Sequence, residues 1–218
     1  MLRPMGKGLM LMLLLCALVG SAEATVIDFD HDALGNPLAA PALFIQTTAL
    51  TTLYSSLGVT FGGPVVLDGG AILDQNGNFG VNARSGRNFL AFNENAVMSD
   101  GGVPRDPETL LFSTLVTDIS IYASGGFFAS AFLLQAFDAG NILVASDTVS
   151  PASGTYGQLS VSYLGGIARV TLTETSGDPS FVYDDLEFEP VPEPATGLLL
   201  GMGLVGAAAA RRRRRTRR

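Results

Sequence analysis

Asp184 is the acidic residue whose position says most about chemistry, because it lies in a largely apolar segment, residues 181–188. In that segment Leu186 and Phe188 alternate with polar residues as in a half-buried strand, and Asp184 has the same parity. A carboxylate that faces the interior of a sheet needs a partner, since an unpaired buried charge is very costly. The pattern leaves three partners open: a hard cation such as Ca²⁺, the guanidinium of Arg169, or backbone N–H groups.

A second chemically distinctive segment covers residues 75–82, Gln-Asn-Gly-Asn-Phe-Gly-Val-Asn, and two arginines follow it. Amide and guanidinium donors beside an aromatic ring form a surface that suits sugar hydroxyl groups. Asn-Gly pairs are also common in turns for backbone reasons alone, so a turn without a ligand is the alternative. The candidate ligand-binding residues are Asn76, Asn78, Phe79, Asn82, Arg84 and Arg87.

Composition restricts the possible catalytic chemistry. His31 is the only histidine and Cys16 the only cysteine, and Cys16 lies in the N-terminal leader. A histidine-rich metal site and a disulfide are therefore excluded from the rest of the chain. The sequence contains neither a G-x-S-x-G elbow nor a G-x-x-x-x-G-K-S/T phosphate loop. A carboxylate pair could hydrolyse glycosides, but acids are so numerous that a chance pair is easy to find, and we predict no catalytic residue.

The charge of the chain is divided very unevenly. Its formal net charge is −7, but only four of the 13 basic residues and 18 of the 20 acidic ones lie between residues 25 and 190. That part therefore carries a formal charge of −14. Such a field repels nucleic acid and anionic lipid, attracts cations and keeps an exported protein soluble. We expect no nucleic-acid partner.

Residues 1–24 have the organisation of a signal peptide. A short basic start precedes the apolar residues 9–19, and Ala22 and Ala24 then make an A-x-A cleavage site. The apolar stretch is too short for a comfortable spanning helix. We therefore predict an N-terminal signal helix that signal peptidase removes after Ala24.

The other end of the chain has three parts. Pro192, Glu193 and Pro194 end any preceding strand, because proline cannot donate to a ladder. Residues 195–210 contain no charge, and as a helix they would measure about 24 Å, slightly less than a bilayer core. The arginine cluster at 211–218 would hold the cytoplasmic end of such a transmembrane helix at the inner membrane.

This three-part tail, residues 191–218, closely resembles the PEP-CTERM sorting signal of exopolysaccharide-producing Gram-negative bacteria. The resemblance implies recognition by an exosortase, a membrane-embedded cysteine protease or transpeptidase that cuts near the Pro-Glu-Pro. It further implies transient anchoring in the inner membrane, followed by delivery to the cell surface or the medium. A permanent anchor is the alternative.

The part between the two ends, residues 25–190, has the pattern of an all-β domain, with short β-branched and aromatic runs separated by Gly, Pro, Asn and Asp. About a dozen such runs and no convincing long helix suit a two-sheet β-sandwich of jelly-roll type. Residues 127–137 form either a central strand or a buried helical turn, and residues 34–53 a loop with a helical turn at 49–54. The predicted strands are 26–30, 59–61, 65–68, 71–73, 88–92, 110–112, 116–123, 127–137, 142–148, 159–163, 168–174 and 181–188.

The closing strand has an Asp-Asp-hydrophobe-x-Phe pattern that resembles calcium-bearing jelly-roll carbohydrate-binding modules, in which this strand pairs with an early acidic strand. The resemblance implies a Ca²⁺ site formed by Asp28, Asp30, Asp184 and Asp185. Two functional hypotheses follow: an exported non-catalytic module that resides in or binds extracellular polysaccharide, and a structural matrix or surface protein without a specific ligand. A glycan hydrolase is a third, minor alternative.

Removal of both ends predicts the mass of the mature protein. The chain recovered from the cell surface or the medium should begin at Thr25 and should lack residues 211–218, because signal peptidase and an exosortase cut on either side of the domain. Intact-mass spectrometry measures both ends at once. A recovered chain that retains the arginine cluster would instead support the permanent anchor.

Overall fold

Nine β-strands and three short 3₁₀ helices make up residues 23–191, the part of the chain that this computed structural model describes. Among these residues, no helix is long and apolar enough to cross a membrane. The predicted signal helix and the predicted helix at 195–210 lie outside the described residues. The strands are β1 (Thr25–Ile27), β2 (Val59–Gly62), β3 (Ala71–Asp74), β4 (Asn88–Asn93), β5 (Glu108–Ser124), β6 (Phe132–Phe137), β7 (Leu143–Val149), β8 (Gly157–Glu174) and β9 (Ser180–Pro190). The 3₁₀ helices are Phe44–Gln46, Ser55–Leu57 and Gln75–Gly77.

The strands of the described region form one antiparallel hydrogen-bonded network in the order β3-β4-β9-β5-β8-β6-β7, with β1 added to β9 and β2 added to β5. Strand β8 pairs with β6 through residues 169–174 and with the second half of β5 through residues 157–162. The result is an all-β, sandwich-like domain, as the sequence predicts. The two sheets of the prediction are not separate, however, because β5 and β8 run from one into the other.

Some predicted strands are parts of longer ones. The segments predicted at 110–112 and 116–123 both belong to β5, and β8 likewise joins two predicted strands. The pairing register of β5 shifts between Leu111 and Val116, where a bulge interrupts the alternation of side chains without ending the strand. The sequence pattern therefore predicts two short strands where the structure has one long, bent strand.

Three local predictions were wrong. Residues 65–68 form a turn, in which the Asp68 N–H donates to the Val65 carbonyl. Residues 127–131 form a loop, so β6 is shorter than expected, although its hairpin with β7 is confirmed. The helical turn predicted at 49–54 lies slightly later in the chain, where the Ser55 N–H donates to the Thr52 carbonyl and the 3₁₀ helix Ser55–Leu57 follows. Short apolar runs are poor predictors of strands here, because a strand forms only where a neighbouring strand pairs with it. The local sequence does not reveal that neighbour.

The main core is built around four aromatic side chains from three strands, all of them almost fully buried. The rings of Phe92 and Phe181 stack with their centroids 4.9 Å apart, and Phe132 meets Phe181 edge-on at 5.8 Å. Tyr183 meets both Phe92 and Phe132 edge-on at 5.6 Å. Burial of this much apolar surface makes the aromatic cluster a principal source of stability.

A β-bulge at Asp185 decides which face of β9 each side chain occupies. Asp185 has a φ of +48°, and the register of β9 against β5 shifts at this point. Tyr183 before the bulge and Leu186 after it therefore both face the main core. Asp184 lies on the opposite face with Val182, which packs in a second apolar cluster. The buried members of this cluster are Phe44, Ala71, Leu73, Phe79, Phe89, Ala91, Met98 and Val182. The prediction that Asp184 shares a face with Leu186 was wrong, because strict alternation does not hold across a bulge.

Phe181→Ala should lower the free energy of unfolding by about 3–5 kcal/mol, because it leaves a cavity within the aromatic cluster. Phe128→Ala is the matched control: its side chain is 60 % exposed, and its loss should change the free energy by less than about 0.5 kcal/mol. Urea denaturation followed by circular dichroism measures both values. Similar losses in the two variants would show that the aromatic cluster does not dominate the core.

Candidate functional site

The segment between β3 and β4, residues 75–87, contains all the predicted ligand-binding residues and is called the anchored loop below. It begins with the 3₁₀ helix Gln75–Gly77. Carboxylates from three parts of the chain bind it through hydrogen bonds, and a loop held by several such charge-assisted bonds keeps one conformation. The carboxylates belong to Asp30, Asp74, Asp184 and Asp185.

Asp184 is fully buried and binds the middle of the anchored loop through backbone N–H groups. Its Oδ2 accepts hydrogen bonds from the Arg84 N–H at 2.7 Å and from the Ser85 N–H at 3.4 Å. Its Oδ1 accepts from the N–H of Asp185 at 2.8 Å. Of the partners that the sequence leaves open for Asp184, the structure therefore shows backbone N–H groups, whereas Arg169 binds a different side chain.

Asp185 binds the same two residues through their side chains. One of its oxygens accepts from the guanidinium of Arg84, and Oδ1 accepts from the hydroxyl of Ser85 at 2.6 Å. The guanidinium of Arg84 also lies over the ring of Tyr122, with its Cζ 3.5 Å from the ring centroid. A guanidinium that is both paired and stacked is held in one orientation.

The end of the anchored loop next to β4 is held by Asp30. Its Oδ1 accepts from the N–H groups of Arg87 at 2.8 Å and of Asn88 at 3.2 Å. Gly86 has a φ of +50°, and a Cβ atom at this position would lie 1.9 Å from Asp30 Oδ2, so only glycine fits beneath the carboxylate. The guanidinium of Arg87 turns back to Asp74, whose Oδ2 lies 3.0 Å from Nη2.

The anchoring carboxylates differ in their tendency to ionise. The pKa of Asp184 is raised to about 7, chiefly by burial and also by the adjacent Asp185 carboxylate, while the N–H of Arg84 opposes the shift. The pKa of Asp74 is lowered, first by the hydrogen bond from the Asn76 N–H and then by the guanidinium of Arg87. Asp184 therefore titrates near neutral pH, whereas Asp74 stays ionised.

The four residues predicted to bind calcium do not form a common cluster. Asp184 and Asp185 both bind residues 84 and 85, Asp30 binds the backbone at residues 87 and 88, and Asp28 makes a local turn, in which its Oδ2 lies 2.8 Å from His31 Nδ1. Within residues 23–191, no group of three or more His, Cys, Asp or Glu side chains could hold a metal ion. Asp30 Oδ2 is buried without a hydrogen-bond partner in that region, but it supplies a single ligand, whereas Ca²⁺ takes roughly six to eight oxygens. These contacts do not fit a calcium ion, and calcium binding stays an untested prediction.

The polar residues predicted to contact a sugar are all exposed, but they do two different things. The amide side chains of Asn76, Asn78 and Asn82 face solvent. The guanidinium groups of Arg84 and Arg87 are paired with anchoring carboxylates, so they hold the loop as well as reaching its surface. The Asn76 side chain also hydrogen-bonds to Asp74, so the amides of Asn78 and Asn82 are the groups that are free to bind a ligand.

Phe79 is not available to a ligand, contrary to the prediction. Its side chain is only 7 % exposed and belongs to the second apolar cluster, beneath the anchored loop. Its ring centroid lies 5.9 Å from that of Phe44 and 5.3 Å from that of Phe89, with edge-on geometry in both pairs. An aromatic residue among polar neighbours resembles a binding residue in sequence, but here it supports the loop from below.

Two phenylalanines, which the sequence pattern places in a strand or a buried helical turn, are instead exposed in the loop at residues 127–131. Phe127 and Phe128 are 56 % and 60 % exposed. Phe127 packs directly over Gly80 of the loop, where a Cβ atom would lie 2.6 Å from Phe127 Cδ1. The signal that could have identified them is the glycine pair at 125–126, because Gly-Gly favours a turn over the interior of a strand.

The described domain is thus an all-β, sandwich-like module that presents exposed amides next to two exposed phenyl rings. Residues 190–215 match the PEP-CTERM protein-sorting motif. The chain is therefore an exported protein that carries the sorting signal of an exosortase substrate, which confirms the resemblance seen at Pro192, Glu193 and Pro194.

Comparison with solved structures finds likenesses of low sequence identity. A cleaved adhesin domain of Lys-gingipain from Porphyromonas gingivalis has a TM-score of 0.46 and 11% identity, over 77% of this chain and 98% of that chain. The CBM22-1 xylan-binding domain of Paenibacillus barcinonensis Xyn10C has a TM-score of 0.40 and 15% identity, over 80% of this chain and 98% of that chain. No curated protein sequence matches the chain.

The raised pKa of Asp184 predicts that this carboxyl makes the protein less stable as pH rises from about 4 to about 7. In that range the folded state holds a proton that the unfolded state has released, so the free energy of unfolding falls by at most about 1.4 kcal/mol per pH unit. Asp184→Asn keeps an acceptor for the Arg84 N–H but cannot ionise, and it should flatten this dependence. Thermal unfolding between pH 4 and pH 8 measures the slope, with the exposed Asp100→Asn as the control. If stability depended on pH as steeply in Asp184→Asn as in the wild type, the group that titrates in this range would be a different one.

Proposed function

We propose that this protein is processed by signal peptidase and an exosortase and then acts at the cell surface or in the extracellular matrix. There its domain serves as a non-catalytic module of jelly-roll type that binds extracellular polysaccharide. The observation that carries the proposal is the anchored loop, which presents exposed amides beside two exposed phenyl rings. Amides beside phenyl rings can bind a sugar, because the polar groups orient its hydroxyls and the apolar groups cover its ring faces.

The rigidity of the anchored loop supports a binding function. Three carboxylates hold its backbone, Asp185 holds two of its side chains, and Gly86 closes so tightly on Asp30 that no larger residue fits. A loop that is already ordered loses little conformational entropy when a ligand binds, so more of the contact energy appears as affinity. A loop whose only role was to connect β3 and β4 would not need this many long-range contacts.

The charges around the anchored loop favour an uncharged polysaccharide. The domain has a formal charge of −14, which repels anionic chains. The two guanidinium groups that could attract an anion, those of Arg84 and Arg87, are already paired with Asp185 and Asp74. The groups left for a ligand are neutral amides and phenyl rings.

The sorting tail brings the domain to the place where such a ligand would be found. Transient anchoring in the inner membrane and cleavage near Pro192 would release the domain on the far side of that membrane. The same tail would equally deliver a structural matrix protein that has no specific ligand. The tail therefore does not distinguish a polysaccharide-binding module from a structural matrix protein. A binding measurement on the domain distinguishes them.

Phe128→Ala should weaken polysaccharide binding about tenfold, because it removes an exposed ring that would cover a sugar face. The matched control is Leu164→Ala, at a side chain that is 90% exposed on β8. Titration calorimetry with the exported chain and the producing bacterium's own polysaccharide measures the affinities.

Three other results would contradict this prediction. Equal affinities in wild type and Phe128→Ala would show that the Phe128 ring does not contact the polysaccharide. No binding to any polysaccharide would favour the structural matrix protein. Release of reducing sugar during the titration would favour the hydrolase.

A further inference from the structure

A groove of about 400 Å³ runs along the free edge of β3. Residues 38–41 form one wall, residues 47–53 form the other, and Ile72 of β3 lies between them. Strand β3 is at the end of the strand order, so its outer edge has no strand partner among the described residues. An edge of this kind leaves backbone donors and acceptors available.

Backbone contacts at the two ends of β3 show which groups face the groove. The Asp74 N–H donates outward to the Pro41 carbonyl at 2.9 Å, and the Gly70 carbonyl accepts from the Leu50 N–H at 2.8 Å. In an antiparallel strand, the N–H and C=O of every second residue point to the same edge. The N–H and C=O of Ile72, midway between these contacts, therefore point into the groove.

The same two contacts limit what can enter. A polypeptide strand that paired along β3 would collide with the segments at Pro41 and Leu50, which already occupy both ends of the edge. A compact group fits between them, next to the backbone donor and acceptor of Ile72. The groove thus suits one unit of a ligand that crosses the edge, rather than a strand that lies along it.

The lining of the groove indicates an uncharged, hydroxyl-rich ligand. None of its lining residues is charged, although the domain as a whole is strongly acidic. Apolar side chains, among them Leu53 and Ile72, are mixed with the exposed threonines Thr48 and Thr51. A sugar residue has the matching composition, with hydroxyl groups on an apolar ring. An anion would find no cation in this groove.

The groove adjoins the anchored loop. Gly77 of the loop packs against the residue that directly follows one groove wall: a Cβ atom at Gly77 would lie 2.7 Å from the carbonyl oxygen of Ala42. Below this contact, the rings of Phe44 and Phe79 join the same segment to the loop. A ligand bound on the loop amides can therefore extend into the groove.

We infer that the groove holds one residue of an uncharged polysaccharide, with sugar hydroxyls bonded to the backbone of Ile72 and to the wall threonines. This inference rests on the proposed function and extends it, since it names the class of polysaccharide and a second contact with the same chain.

The experiment compares two groove variants with two matched controls. Ala39→Phe narrows the groove, and Thr51→Val removes one hydroxyl while keeping the side-chain shape. Ala139→Phe and Thr148→Val make the same changes at exposed positions near the β6–β7 hairpin. Titration calorimetry measures binding of the exported chain to the neutral and the acidic fractions of the producing bacterium's polysaccharide, and melting temperatures confirm that each variant is folded.

We expect the neutral fraction to bind. Its affinity should fall at least about tenfold in Ala39→Phe and by several-fold in Thr51→Val, with no change in the controls. Wild-type affinity in Ala39→Phe, together with weaker binding in Phe128→Ala, would show that the groove does not bind the polysaccharide and would leave the proposed function intact. Binding of the acidic fraction alone would overturn the uncharged ligand. No binding of either fraction would overturn the groove and the proposed function together.

Discussion

The buried carboxylate of Asp184 is the interaction on which the anchored loop depends. It lies with Val182 on the face of β9 opposite the main core, and there it accepts hydrogen bonds from the N–H groups of residues 84 and 85, about a hundred positions earlier. Without the bulge at Asp185, Asp184 and Leu186 would share one face, so either the carboxylate would enter the main core without a partner or Leu186 would leave that core. One irregularity in β9 thus lets Leu186 face the main core and provides the anchor of the loop.

The acidic character of the domain has a structural use beyond solubility. Several carboxylates accept hydrogen bonds from backbone N–H groups that no strand would otherwise satisfy, as Asp30 does for residues 87 and 88, and as Glu174 does for residues 176–178. Loops of a β-sandwich carry many such unpaired groups, and a carboxylate can accept two or more of them at once. The consequence is an acidic protein whose loops are ordered, with its exposed amides and phenyl rings on a fixed frame.

The second apolar cluster connects the parts of this frame. Phe79 lies between Phe44 and Phe89, so it joins the anchored loop to β4 below it and to the segment that walls the β3 groove. Phe127 covers the loop from the other side at Gly80. The proposed polysaccharide surface is therefore continuous from the exposed phenyl rings, across the amides, to the backbone of Ile72. Its parts come from segments that are far apart in the chain.

The sequence by itself determined the export and sorting of the protein and the class of its fold. The sorting tail is a contiguous motif read by other proteins, and most strands are recognisable because alternation along a strand is a local property. The tertiary structure alone decided which face Asp184 occupies, that Phe79 is buried, and that Phe127 and Phe128 are exposed. These outcomes depend on a bulge in β9 and on contacts between residues up to 101 positions apart. Local pattern cannot reveal them, because burial is settled by which distant segment covers a side chain and not by the residues next to it.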